Sequence, residues 1–238
     1  MRPRCNLPLL GVALAGLWMA AIRADASSHP PVHKLKALDA DNQVIVLNKT
    51  GVITLVLGTN EDSQDQARAA GRAMYALQGR PDFELIVVVD LRHSIASWVP
   101  SLVIAQMRSN LDKEAIALKP YFLQNGNKSN PRSSSYVIPD FNGSICPQLG
   151  WMDGSDDLRG ILYDANGREI KRWDKIGDDM DGLQADVHTA IQALDDANKA
   201  KVKANEKPEG TKPHQPPKPP PPLPPLTPAS NTGNTNAP

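Results

Sequence analysis

Hydrophobic residues along the chain follow two patterns, continuous short runs typical of buried strands and a spacing of three to four residues typical of helices. Residues 52–57 form a run rich in β-branched side chains, and Ala70, Met74 and Leu77 recur at helical spacing after it. Residues 85–89, Leu-Ile-Val-Val-Val, form the strongest strand pattern in the sequence. Two strands joined by an amphipathic helix predict a right-handed βαβ unit.

The same patterns predict the remaining elements. In chain order they are a strand at 44–47, a helix from 99 to 118 that Pro120 ends, a strand at 136–138, one helical turn at 144–150, a hairpin at 158–173 and a helix from Leu183 with an apolar face up to Leu194. The turn of the hairpin, Asp-Ala-Asn-Gly at 164–167, is a strong local signal. Ser97 is the expected cap of the helix that follows it.

The first 26 residues resemble a secretory signal peptide, with Arg2 and Arg4 before an apolar stretch at 7–22 and Ala-Asp-Ala at 24–26. The alternative, a transmembrane anchor, is disfavoured because a helical span needs about 20 apolar residues. We therefore expect cleavage before Ser27, no stable membrane anchor afterwards, and a periplasmic or secreted protein.

The mature chain divides into a lead-in at 27–35, a folded domain at 36–196 and a tail at 197–238. Residues 208–228 contain 11 of the 22 prolines, which favours polyproline II and prevents formation of a core. We expect a disordered Lys/Pro-rich tail that acts as a spacer or binds a protein partner through an aromatic groove.

Charge is balanced, with 26 Lys and Arg against 26 Asp and Glu, so it indicates neither a nucleic-acid partner nor an anionic surface. Of the two cysteines, only Cys146 follows the signal peptide, so an exported chain could form no internal disulfide. Cys146 is interpreted as a small buried hydrophobic residue, with a reactive thiol as the alternative. Neither the charge balance nor the cysteine count indicates an oligomeric state.

The order of elements resembles the thioredoxin-like superfamily, in particular its exported thiol–disulfide oxidoreductase and peroxiredoxin branch. Residues 52–57 and the polar turn after them resemble the strand before that family's redox site. Residues 136–143, Tyr-Val-Ile-Pro-Asp-Phe-Asn-Gly, resemble its strand-Asp-x-x-Gly element, and residues 158–170 resemble its hairpin. The resemblance covers about residues 36–196 and implies an α/β fold with a central mixed sheet and flanking helices.

The chain departs from that family where redox chemistry takes place. Redox-active members carry Cys-x-x-Cys or a peroxidatic Thr-x-x-Cys at the strand–helix junction, where the helix N-terminus lowers the thiol pKa. This sequence has Asp62-Ser63-Gln64-Asp65 there, and Leu158 lies near the position of the family's cis-proline. The resemblance therefore implies a domain without dithiol exchange at the usual site.

The same junction supplies the binding-site candidates, which are Asn60, Glu61, Asp62, Ser63 and Asp65. Asp62 and Asp65 are interpreted as helix N-terminal residues stabilised by the helix dipole, with a carboxylate metal or ligand site at Glu61, Asp62 and Asp65 as the weaker alternative. The histidines lack zinc-ligand spacing, and residues 177–188 do not match a calcium loop, so no metal or cofactor is expected.

Two functions from different classes remain. The leading one is an exported, redox-inactive thioredoxin-like domain that serves as a binding or accessory module. The alternative is a single-thiol oxidoreductase or peroxidase that uses Cys146, which would require an exposed and acidic thiol.

Overall fold

The computed structural model describes residues 33–94, 98–152, 155–177 and 180–205. Residue contacts divide the chain into two units, Met1–Ile191 and Gln192–Pro238. The signal-peptide prediction, Ser97 and the proline-rich segment lie outside the described residues.

The described chain contains seven strands and three α-helices. They are β1 Lys36–Leu38, β2 Val44–Val46, β3 Ile53–Thr59, α1 Gln64–Ala73, β4 Phe83–Asp90, α2 Pro100–Gln124, β5 Tyr136–Asp140, β6 Leu158–Tyr163, β7 Glu169–Ile176 and α3 Met180–Asn205. Short 3₁₀ helices lie at Tyr75–Leu77, Pro131–Ser134 and Cys146–Leu149.

The larger sheet has five strands in the order β5-β4-β3-β6-β7. Strands β3, β4 and β5 are parallel, while β6 is antiparallel to β3 and β7 is antiparallel to β6. This mixed sheet with helices in the crossover connections confirms the predicted α/β class and thioredoxin-like fold. β1 and β2 pair in a separate antiparallel ribbon.

Strand β3 lies at the centre of the sheet and is buried along its whole length. Its side chains alternate between two hydrophobic layers. Val56 belongs to a cluster with Ile86, Ile138 and Trp151, whereas Leu55 and Leu57 alternate onto the opposite face. Helix α1 contacts β3 and buries Ala67 and Ala70, as its helical spacing predicts. This continuous burial fixes the position of the chain where β3 ends and α1 begins.

The hairpin of β6 and β7 and the helical turn containing Cys146 form as predicted. Strand β1 is an element that the sequence patterns missed, because its three residues show no distinctive alternation. β3 and β5 also run further than expected and include Gly58 and Pro139.

The prediction that Pro120 ends the second helix is wrong, since α2 continues to Gln124 with Pro120 inside it. Pro120 cannot donate a hydrogen bond to the carbonyl of Ile116, but both residues are on the exposed side of the helix, where water can donate to that carbonyl instead. Phe122 is buried and holds the last turn against the protein. Burial of one aromatic ring thus offsets the local cost of the proline.

Helix α3 also differs from the prediction at its C-terminal end. Residues 197–205, assigned to the disordered tail, are helical with exposed side chains, because the helix continues past its apolar stripe. Within the described part of the chain, no helix is long and apolar enough to cross a membrane.

Candidate functional site

The junction between β3 and α1 is closed by hydrogen bonds among polar residues. The side-chain oxygen of Asn60 accepts hydrogen bonds from the backbone N–H groups of Asp62 and Ser63, both at 3.0 Å. The Ser63 hydroxyl accepts from the Asn60 N–H at 3.2 Å and lies 3.0 Å from the Thr59 hydroxyl. Ser63 is buried, so this network forms the interior of the turn and leaves no hydroxyl poised as a nucleophile.

The carboxylates of the junction do not converge on one point. Glu61, Asp62 and Asp65 are all exposed. Glu61 accepts a hydrogen bond from the Ser94 hydroxyl at 3.2 Å, and Asp65 forms an ion pair with Arg68 at 2.7 Å. Across the described residues, no group of three His, Cys, Asp or Glu side chains is arranged to hold a metal ion.

Asp62 lies one residue before the N-cap of α1, so its interpretation as a residue of the helix N-terminus requires correction. The N-cap residue of α1 is Ser63, which makes no side-chain cap bond, and its own N–H group donates to the side-chain oxygen of Asn60. The side-chain amide of Asn60 can hold the turn through hydrogen bonds to the backbone, and these bonds do not need a charged group. Asp65 lies in the first turn of α1, as predicted, where a negative charge interacts favourably with the helix dipole.

Asn60 also connects the junction to the segment that leads into β6. Its side-chain N–H group donates to the carbonyl of Ser155 at 3.3 Å and to the carboxylate of Asp156 at 3.2 Å. Leu158, near the position where the resemblance places a proline, is fully buried at the start of β6. The sequence reasoning selected Asn60 but not this connection, which links residues 95 or more positions apart.

Cys146 lies in the hydrophobic layer that contains Val56 and Trp151, and its side chain is 2% exposed. Burial raises the pKa of the thiol, and the nearby carboxylates of Asp90 and Asp140 raise it further. A nucleophilic cysteine needs an accessible thiolate. Its surroundings therefore agree with the interpretation as a buried hydrophobic residue.

The turn that holds Cys146 is anchored by Asp140, which is 1% exposed. The Asp140 carboxylate accepts hydrogen bonds from the backbone N–H groups of Ser144, Ile145 and Cys146 at 2.8, 3.0 and 2.8 Å. These bonds stabilise the carboxylate without a metal and hold the turn in place. The Asp-x-x-Gly element of the sequence is thus a structural anchor for this turn.

A groove between α1 and α2 is the main feature that sequence reasoning missed. It encloses about 870 Å³ and extends from Asn60 and Glu61 along the sheet. Its floor is formed by Leu85, Val87 and Val89 of β4, which are only half-buried although β4 is an interior strand. The groove therefore begins at the predicted site residues and continues over hydrophobic surface.

Apolar side chains of α2 line one wall of the groove but do not fill it. The buried residues of α2 lie between Leu111 and Phe122, and none is among the first eleven residues of the helix. Leu102 in the first half is 68% exposed, and Val103 and Met107 are half-buried against the groove. The apolar spacing of α2 was recognised in the sequence, but its N-terminal half faces a space rather than the core.

The end of the groove away from the junction contains a hydrogen-bonded aromatic side chain. The Tyr75 hydroxyl donates a short hydrogen bond to the Glu114 carboxylate, and its ring centroid lies 5.2 Å from that of Tyr121. Burial and the Glu114 carboxylate raise the pKa of Tyr75 to about 12, although Arg72 opposes the shift. Tyr75 thus remains protonated at neutral pH and connects the walls of the groove.

Comparisons with known proteins give similarities among solved structures only. The exposed lipoprotein thioredoxin Etrx1 from Streptococcus pneumoniae matches with 12% identity and a TM-score of 0.41, over 66% of this chain and 99% of its own. A secreted disulfide oxidoreductase from Mycobacterium tuberculosis, described as homologous to E. coli DsbE, matches with 11% identity and a TM-score of 0.40, over 66% and 96%. A thiol-disulfide oxidoreductase from Bacteroides fragilis matches with 12% identity and a TM-score of 0.41, over 65% and 97%.

No family model and no curated protein matches the chain. Identities this low carry no information on activity, and the strand order and strand directions are what identify the fold.

Proposed function

We propose that the chain is an exported thioredoxin-like domain that acts as a binding or accessory module and performs no dithiol exchange. The observation that carries this proposal is the closed network of Thr59, Asn60 and Ser63 at the β3–α1 junction. Dithiol exchange begins with a thiolate attacking a disulfide, and residues 59–65 include no cysteine. The junction is built to connect a strand to a helix, and its chemistry is hydrogen bonding.

Export is supported by the pattern of residues 1–26 and by two of the similar structures, which are described as an exposed lipoprotein and a secreted protein. The proline-rich composition of 208–228 supports a spacer or a ligand for a protein partner with an aromatic groove. We propose no nucleic-acid partner, in keeping with the balanced charge.

The competing function, thiol chemistry at Cys146, is disfavoured by its surroundings. Attack on a disulfide or peroxide would require the sulfur to leave the layer formed by Val56, Ile86 and Trp151. It would also require ionisation of a thiol whose pKa is raised by burial and by two carboxylates. The burial of the sulfur and the raised pKa of the thiol both argue against thiol chemistry at Cys146.

Thiol titration of a chain that begins at Ser27 tests this proposal. We expect no reaction with an aromatic disulfide reagent in the folded state and one thiol per chain after denaturation. Asp62→Cys is the matched control, because the position is exposed and its single added thiol should react without denaturant. Reaction of the unsubstituted folded chain at the rate of the control would refute the proposal.

A turnover assay gives an independent result. The chain should not accelerate reduction of a protein disulfide by a small dithiol above the rate of the dithiol alone. Any acceleration that disappears in Cys146→Ala would establish the single-thiol alternative.

For the tail, partner binding should fall when residues 206–238 are removed, and unchanged binding would exclude the tail from this function.

A further inference from the structure

The groove between α1 and α2 has features of a ligand site that the thioredoxin-like fold does not itself require. Its volume of about 870 Å³ is within the usual range for small-molecule sites, about 300–1,000 Å³. The floor residues Leu85 and Val89 are four positions apart on β4, so the apolar floor extends for about 13 Å. The shape is suited to an elongated apolar group.

The floor cannot bind a peptide by adding a strand. Both edges of β4 are already paired, with β3 on one side and β5 on the other. An extended peptide lying on this floor would leave its own backbone N–H and C=O groups without partners, at considerable cost. An occupant with a hydrocarbon chain has no such groups to satisfy.

The charges at the rim favour an anionic head group. Arg68, Arg72 and Lys113 line the groove and are exposed. Arg68 is paired with Asp65, whereas within the described residues Arg72 and Lys113 form no ion pair with a carboxylate, and Arg72 interacts with the Tyr75 hydroxyl. Two carboxylates also line the groove, Glu61 and Glu114, and both already accept hydrogen bonds from hydroxyl groups.

We propose that this groove binds a single-chain amphiphile with an anionic head group. The hydrocarbon chain lies along Leu85, Val87 and Val89, and the head group is bound by Arg72 and Lys113. This inference rests on the proposed function as a binding module and names the class of ligand. Burial of a ten-carbon chain supplies the affinity, and the two cations supply the preference for a negative charge.

Calorimetry with decanoate, decanol and decyltrimethylammonium, each below its aggregation concentration, tests the ligand class. Decanoate should bind about tenfold more tightly than decanol, and decyltrimethylammonium should bind more weakly than either. Arg72→Gln/Lys113→Gln should remove the advantage of decanoate and leave decanol binding within about twofold. Lys201→Gln/Lys203→Gln, which removes two exposed charges from α3, should leave all three affinities unchanged.

Filling the groove provides a second test that does not depend on charge. A Cβ atom at Gly71 would lie 4.0 Å from the nearest atom, Leu85 Cδ2, which also lines the groove. Gly71→Leu should therefore abolish binding of all three probes while raising the melting temperature, because glycine is a poor helix former. Gly71→Ala, which adds only one methyl group, should retain most of the binding.

Several results would overturn the inference. They are absence of decanoate binding, equal affinity for decanoate and decanol, full binding by a folded Gly71→Leu variant, or a dimer in sedimentation that Gly71→Leu dissociates. None of these outcomes affects the proposal that the domain performs no dithiol exchange, provided that the folded chain remains inert to the thiol reagent. Thiol turnover together with normal decanoate binding would instead refute the proposed function and leave the ligand site in place.

Discussion

Gly58 is the residue at which β3 passes beneath the indole ring of Trp151. A Cβ atom at this position would lie 2.5 Å from Trp151 Cζ3, well inside van der Waals contact. Both residues are buried, so the ring cannot move into solvent without exposing the layer beneath it. Gly58→Ala should therefore lower the free energy of unfolding by about 1–3 kcal/mol, as measured by urea denaturation.

The matched control is Gly71→Ala, which adds the same methyl group where space is available. Its Cβ would make one ordinary contact at 4.0 Å, and the residue is inside α1. We expect the free energy of unfolding to rise by up to about 1 kcal/mol. Equal effects of the two substitutions would show that the Trp151 contact is not what requires glycine at position 58.

Cys146 gives a prediction for the dependence of stability on pH. Burial and the carboxylates of Asp90 and Asp140 raise its pKa in the folded state, so above about pH 8.5 the thiol ionises in the unfolded chain first. The unfolded state then binds fewer protons, and the free energy of unfolding falls by up to about 1.4 kcal/mol per pH unit from this group. Below the unfolded pKa, this contribution is fully present.

Cys146→Ala should remove that dependence between about pH 8.5 and 9.5. Tyr75 and Tyr163, whose pKa values are raised to about 12, affect stability only above the usual tyrosine pKa of about 10. Urea denaturation of both proteins at intervals of half a pH unit measures the difference. Parallel curves for the two proteins would contradict the raised thiol pKa.

At the scale of elements, α2 shows a proline inside a continuous helix. Pro120→Ala would restore an N–H donor to the Ile116 carbonyl on an exposed face and remove the ring that crowds it. We expect the free energy of unfolding to rise by about 1–3 kcal/mol, because the helical geometry is already present. Circular dichroism should show no loss of helix, and a destabilised variant would mean that the proline fits a bend that the helix requires.

The elements that could be predicted from sequence are those whose patterns are local. Residues 85–89 indicated β4 because continuous apolar runs are the signature of interior strands, and the turn at 164–167 indicated the hairpin. Pro120 misled the prediction because its cost, about 3 kcal/mol in a helix interior, can be offset by tertiary contacts such as those of Phe122.

The site was predictable only in part. Asn60 and Ser63 were identified because a strand–helix junction is recognisable in sequence, but their bonds to each other depend on a turn geometry that the pattern does not specify. The groove was not predictable, because it depends on how far α2 lies from β4. Gly71 inside α1 lines the groove, but a single glycine in a helix does not predict a cavity.

At the scale of the whole molecule, the hydrophobic core lies in the unit that ends at Ile191. The cluster around Val56 and Trp151 lies within it, and α3 adds Val187, Ala190 and Ile191. Of the second unit, the described residues 192–205 are helical, and Val202 among them is 58% exposed. The residues that determine stability should therefore all precede residue 206.

A pair of truncations tests this distribution of stability. A chain of residues 27–205 should match residues 27–238 in free energy of unfolding to within about 0.5 kcal/mol and in its urea m value, because it keeps every buried side chain of the described residues. A chain ending at residue 186 is the control, since it loses the buried side chains of Val187 and Ile191. At about 1.5–3 kcal/mol for each of these side chains, it should lose about 3–6 kcal/mol. A large loss on removing only residues 206–238 would show that the tail stabilises the folded domain, and its role as a spacer or partner ligand would have to be abandoned.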